Sequence, residues 1–68
     1  MEVLNVRNLK AAMLLQGVGV TQLAKISNVQ AYQLSSWLKQ KQVQVRLPTI
    51  SKLSKALHIS AMDLIVED

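Results

Sequence analysis

Cysteine is absent from this chain, so neither a disulfide framework nor a thiolate metal site is open to it. Long apolar runs are absent too. The longest, Ala11 to Leu15, is far too short to cross a bilayer. Met1-Glu2 lacks the basic start and long apolar stretch of a secretion signal, so a cytoplasmic protein is expected, with no membrane partner. Acids are missing from the whole interior. Glu2 stands near one end and Asp63, Glu67 and Asp68 near the other, with none from Val3 to Met62. There is one histidine, His58. Without a cysteine or a pair of interior acids, nothing supports acid–base, nucleophilic or metal chemistry. No enzyme, catalytic residue, metal or cofactor is expected. Two glycines and one proline, with 50% of residues apolar, exclude a disordered segment. At 68 residues the chain forms one domain over 1–68, burying about 60% of its unfolded surface.

The interior that lacks acids carries eight bases: Arg7, Lys10, Lys25, Lys39, Lys41, Arg46, Lys52 and Lys55. Such a body attracts polyanions. A second pattern lies inside it. Val20, Leu23 and Ala24 begin an apolar stripe, and Leu34 and Trp37 resume it after Asn28 and Val29. Ala24 is small enough for a second helix to cross close above it. Asn28 falls where the chain must reverse, and after glycine it is the residue best tolerated in the left-handed conformation. This is the spacing of a helix-turn-helix, with Ala31, Tyr32, Gln33 and Ser36 near the outward face of its second helix. Together with the basic body, it makes nucleic acid the favoured partner.

Along the chain, Met1 to Val6 alternates loosely and can form an extended arm. Asn5 is a candidate N-cap for a first helix over about 6–16, burying Val6, Leu9, Ala12 and Met13. Leu14 and Leu15 lie partly outside that stripe, so one of them can face a partner chain. Gly17 stops the helix, and Gly19 caps a helix over about 20–27. The next spans about 30–39. Gln42 to Leu47 alternates with a period of two. It is either a short strand paired with residues 2–6 or an extended loop whose valines rest on the core. Pro48 opens the following element, with Thr49 as cap of a helix over about 49–57 that buries Ile50, Leu53, Ala56 and Leu57. His58 sits at its exit, where a cation is favoured. Ser60 and Asp63 form an approximate capping box for a helix over about 61–66, which buries Met62 or Leu64 together with Ile65. The expected fold is all-α: five helices, with a short strand pair over 2–6 and 42–47 as the possible addition.

Gly17, Leu23-Ala24, Asn28-Val29, Leu34-Ser35 and Trp37 form one half of a recurring pattern. Pro48-Thr49-Ile50, Leu53, Lys55-Ala56-Leu57, Ile59-Ser60 and Asp63-Leu64-Ile65 form the other. Over about residues 8–66 the chain resembles the Cro and lambda-repressor type of helix-turn-helix domain, a family of phage and bacterial regulators. Departures are visible. The glutamine common at the start of the first motif helix is Val20 here. Frequent glycines at the turn and after the second helix are Asn28 and Gln40. The positions of a recurrent Arg–Glu pair correspond to Met13 and Leu38, a replacement that need not weaken a fold. The connection from Lys39 to Leu47 is longer than usual.

The resemblance implies that the helix from Gln30 enters the major groove of a double-stranded DNA operator with its N-terminal turn toward the bases. Gln30 and Gln33 would grip adenine through paired hydrogen bonds, Ser36 would donate or accept, and Ala31 would touch a thymine methyl. Tyr32 would reach a base or a phosphate. Gln30 has a second reading as a helix cap, and Tyr32 as a side chain lying on the domain surface. Phosphates would be held at Thr21 and Gln22 by free amides and the helix dipole, and by Lys39, Lys41 and Arg46. Lys25, Lys52 and Lys55 are expected to be ordinary solvated residues. One reading helix covers few base pairs, so a homodimer is expected on DNA, with Leu38, Val43, Val45 and Ile65-Val66 as candidate contacts. With no room for a sensing domain, no small-molecule ligand is expected. The competing class is a protein-binding adaptor or antirepressor on the same fold, gripping its partner with Tyr32 and the Val43–Val45 strip.

Overall fold

A computed structural model describes residues 1–67. Its elements are β1 (Glu2–Asn5), α1 (Val6–Gln16), α2 (Val20–Ser27), α3 (Ala31–Leu38), β2 (Gln42–Val45), α4 (Leu47–Leu57) and a 3-10 helix over Ala61–Leu64. Four α-helices and a strand pair therefore replace the expected five helices.

Chain reversals explain where the helices stop. Gly17, Asn28 and His58 all take the left-handed conformation, with φ of 65°, 59° and 56°. After each, the next amide reaches back six residues' span to the helix: Val18 N–H to the Met13 carbonyl (2.9 Å), Val29 to Ala24 (3.0 Å) and Ile59 to Ser54 (3.0 Å). That is one hydrogen-bonding pattern used three times, and each time the residue after the reversal is a β-branched apolar one packed on the core. The helix starts are less uniform. Asn5 caps α1 as expected, accepting the Asn8 N–H at 3.0 Å. α4 starts two residues earlier than Thr49: Arg46 is its cap residue, and the Thr49 and Ile50 amides donate to the Arg46 carbonyl at 3.0 and 3.1 Å. Pro48 fits inside the first turn because an amide there has no intrahelical acceptor to lose.

The alternating stretch after α3 is a strand. β2 pairs antiparallel with β1 in the register Glu2↔Val45, Val3↔Gln44, Leu4↔Val43, Asn5↔Gln42. Alternation puts Leu4 and Val45 into the core. A ribbon this short is weak alone, and here the far side of β1 is also occupied. Ile65 bridges to Leu4, and the Val66 N–H donates to the Val3 carbonyl at 2.9 Å. The tail's extended path is why the last helix ends at Leu64 instead of Val66 and winds as a 3-10 turn. In that tighter winding the Ser60 hydroxyl accepts the Met62 N–H at 3.2 Å, not that of Asp63 as a capping box requires. Leu64 is buried there and Met62 is exposed.

The core is Leu4, Val6, Leu9, Ala12, Met13, Leu23, Ala24, Leu34, Trp37, Val45, Ile50, Leu53, Leu57 and Leu64. Val45 therefore belongs to the protein's own interior, which corrects its place among the candidate contacts to a partner chain. In α4 the buried fourth position is Ser54, and Ala56 is only half-buried. Ser54 and the buried Ser27 both bond to carbonyls of their own helices, at 2.9 Å to Ser51 and 2.6 Å to Leu23. Two side chains tie α1 to the C-terminal half: Gln16 donates to the Leu57 carbonyl, and Asn8 donates to the Asp63 carbonyl at 2.7 Å.

Candidate nucleic-acid interface

Leu34 and Trp37, three apart, pin one side of α3 to the core, with Trp37 only 7% exposed. At 100° per residue, Tyr32 and Ser36 then stand on the opposite side. Gln33 lies on one flank, and Ala31 and the half-buried Ser35 on the other. Gln30, Ala31, Tyr32, Gln33 and Ser36 are all exposed, Tyr32 at 73%. Gln30 and Lys39 flank the helix as its caps, so α3 is one residue shorter at each end than the expected span. Gln30 caps with its backbone: its carbonyl accepts the Leu34 N–H at 3.0 Å, while its side chain makes no capping bond. Its amide group is thereby left for another partner.

α2 presents the second part of the surface. Gly19 precedes it in an extended conformation without a side-chain cap. The amides of the first turn, around the exposed Thr21 and Gln22, therefore lack an intrahelical acceptor and point outward beside the positive end of the helix dipole. Asn28 and Val29 fix the angle between this helix and α3, the one by its left-handed backbone and the other by resting on the core.

The strand register sorts the three basic residues that were grouped by sequence. Asn5 lies opposite Gln42, so Lys41 comes beside the start of α1. There Lys39, Gln40 and Lys41 border a concavity of about 440 Å³ with Val6, Arg7 and Lys10. Glu2 lies opposite Val45, so Arg46 belongs to the other end of the ribbon, about 16 Å from Lys41 at strand spacing. Arg7 and Lys10 were not singled out from the sequence. Their spacing of three, on one side of α1, was the available signal, but only the β1–β2 pairing brings Lys39 and Lys41 to them.

A family model described as the Cro/C1-type HTH DNA-binding domain matches residues 8–66 of the 68. The chain belongs to this family. As a Cro/C1-type domain it is a DNA-binding module, and the matched stretch contains α2, α3 and every position of the expected reading and phosphate surface. β1, the cap Asn5 and Arg7 precede the matched stretch. No curated protein and no solved structure matches the chain. No helix among the described residues is long and apolar enough to cross a membrane.

Proposed function

We propose that this chain, acting as one domain over residues 1–68, is a sequence-specific regulator of transcription. It is a small Cro-like repressor of a phage or its bacterial host, working in the cytoplasm. α3 enters the major groove of an operator. Gln30 and Gln33 face adenine, Ala31 faces a thymine methyl, and Ser36 and Tyr32 supply further polar contacts. Thr21 and Gln22 hold one phosphate through the free amides of α2, and Lys39, Lys41 and Arg46 hold others. The observation that carries this reading is the exposed, uncharged polar turn at the start of α3, held rigid by Leu34 and Trp37 beneath it. A flat hydrophobic interface would need the opposite composition.

A two-fold operator and a homodimer follow from the small footprint of one helix. Leu38, Val43 and the Ile65-Val66 tail remain as contact candidates, joined by Leu14 and Leu15 at 83% and 87% exposure. The test is a gel shift against a pool of random duplexes at two salt concentrations. Binding should weaken steeply with salt. Lys41→Gln should weaken it on all sequences and reduce the salt slope by about 1, whereas Gln33→Ala should relax preference at one base pair. Identical behaviour of the two variants would refute the assigned roles. Duplex affinity indifferent to salt would favour the adaptor reading instead.

A further inference from the structure

We propose that α1 takes part in DNA binding: Arg7 and Lys10 join Lys39 and Lys41 in clamping backbone phosphate at the lip of the major groove, beside the C-terminal end of α3. The proposal rests on the DNA-binding reading above.

Four cations from two separate parts of the chain border one open concavity of about 440 Å³, and no acid among the described residues lines it. Val6 and Gln40 complete its lining. Like charges gathered without an acid repel one another, and an anion among them relieves that repulsion. Two of the chain's acids are placed away from it. Glu2 is at the far end of β1, opposite Val45, and Asp63 is beside Asn8, on a different side of α1 from Arg7 and Lys10.

Scale supports phosphate as the anion. α3 spans eight residues, about 12 Å along its axis, and the major groove is about 12 Å wide and about 8.5 Å deep. With the first turn of α3 at base edges, its last turn and the concavity next to it stand at the level of the sugar–phosphate wall. The hollow between α2 and α4 provides the contrast. It holds Lys52 and Lys55, also three apart on a helix, but only these two cations, with Ile26, Ser27 and Ala56 between them.

The test compares R7Q/K10Q with K52Q/K55Q, two variants that remove the same charge from exposed helical positions and should melt like the unaltered chain. Affinity for a random-sequence duplex is measured from low to moderate salt. The clamp predicts that R7Q/K10Q lowers the slope of log K against log[salt] by about 1 to 2, at about 0.9 per phosphate contact. It should weaken all duplexes alike and leave base preferences in place. K52Q/K55Q should change the slope by much less. Equal losses in the two variants would reduce the effect to net charge and overturn the clamp while leaving α3 as the reader. An unaltered chain that binds no duplex would overturn both readings, and an R7Q/K10Q variant that keeps its duplex affinity but no longer binds poly-glutamate, measured in parallel, would overturn the clamp in favour of an acidic protein.

Discussion

Asn28 joins α2 to α3 at a φ of 59°, in a conformation that side chains other than asparagine, aspartate and glycine adopt only at a cost. Asn28→Gly should therefore fold with a nearly unchanged melting midpoint. Asn28→Val, which places a branched β-carbon in the same backbone, should lose about 1–2 kcal/mol in denaturant unfolding. His58 holds an equivalent position after α4 at 56°, although nothing in its neighbours marks it as clearly as a glycine would. Gln33 presents the opposite case. It is exposed and carries no packing role, so Gln33→Ala should leave stability within about 0.5 kcal/mol. Its cost of about 1–3 kcal/mol should appear only against the preferred base pair, in competition gel shifts.

The helices were legible as elements because each carries a stripe at helical spacing and most carry a recognisable stop. α1 and α2 occupy the expected spans, and Val6, Leu9, Ala12 and Met13 are the buried residues of α1 as expected. The misread ends have a common cause. Whether Ile65 and Val66 continue a helix or extend along β1 depends on a strand sixty residues away, which no local pattern records. The same holds for Leu47. It continues the alternation of Val43 and Val45, yet the helix of Pro48 captures it. β1 is the element most dependent on this long-range pairing, with β2 on one side and the tail on the other. Leu4, fully buried between them, should cost about 2–5 kcal/mol when cut to alanine, read as a shift in the urea midpoint. Loss of the Asn5 cap by Asn5→Ala should cost about 1 kcal/mol.

Across the whole molecule, charge is arranged by topology. The ribbon carries Lys41 at one end and Arg46 at the other, so these residues reach separate phosphates in the proposed complex. The losses in duplex affinity caused by Lys41→Gln and Arg46→Gln should accordingly add, within about 0.5 kcal/mol, as expected of sites more than about 10 Å apart. A double variant whose loss differs from the sum would mean that both bind one phosphate. Lys41 should by contrast couple to Arg7 and Lys10, with which it shares a concavity.

By itself the sequence determined which segments wind, which faces are apolar and which turn must reverse, because periodicity and turn chemistry are local properties. It also supplied the motif that places this chain among Cro/C1-type DNA-binding domains. The tertiary structure decided what the ends of the chain do, making the N-terminal arm the middle of a three-part strand arrangement, and it decided that Val45 is interior and that Lys41 and Arg46 stand at opposite ends of the ribbon. Those outcomes depend on the register between segments some forty to sixty residues apart. Register is set by which side chains share a core, and that is settled only when the whole chain has closed around it.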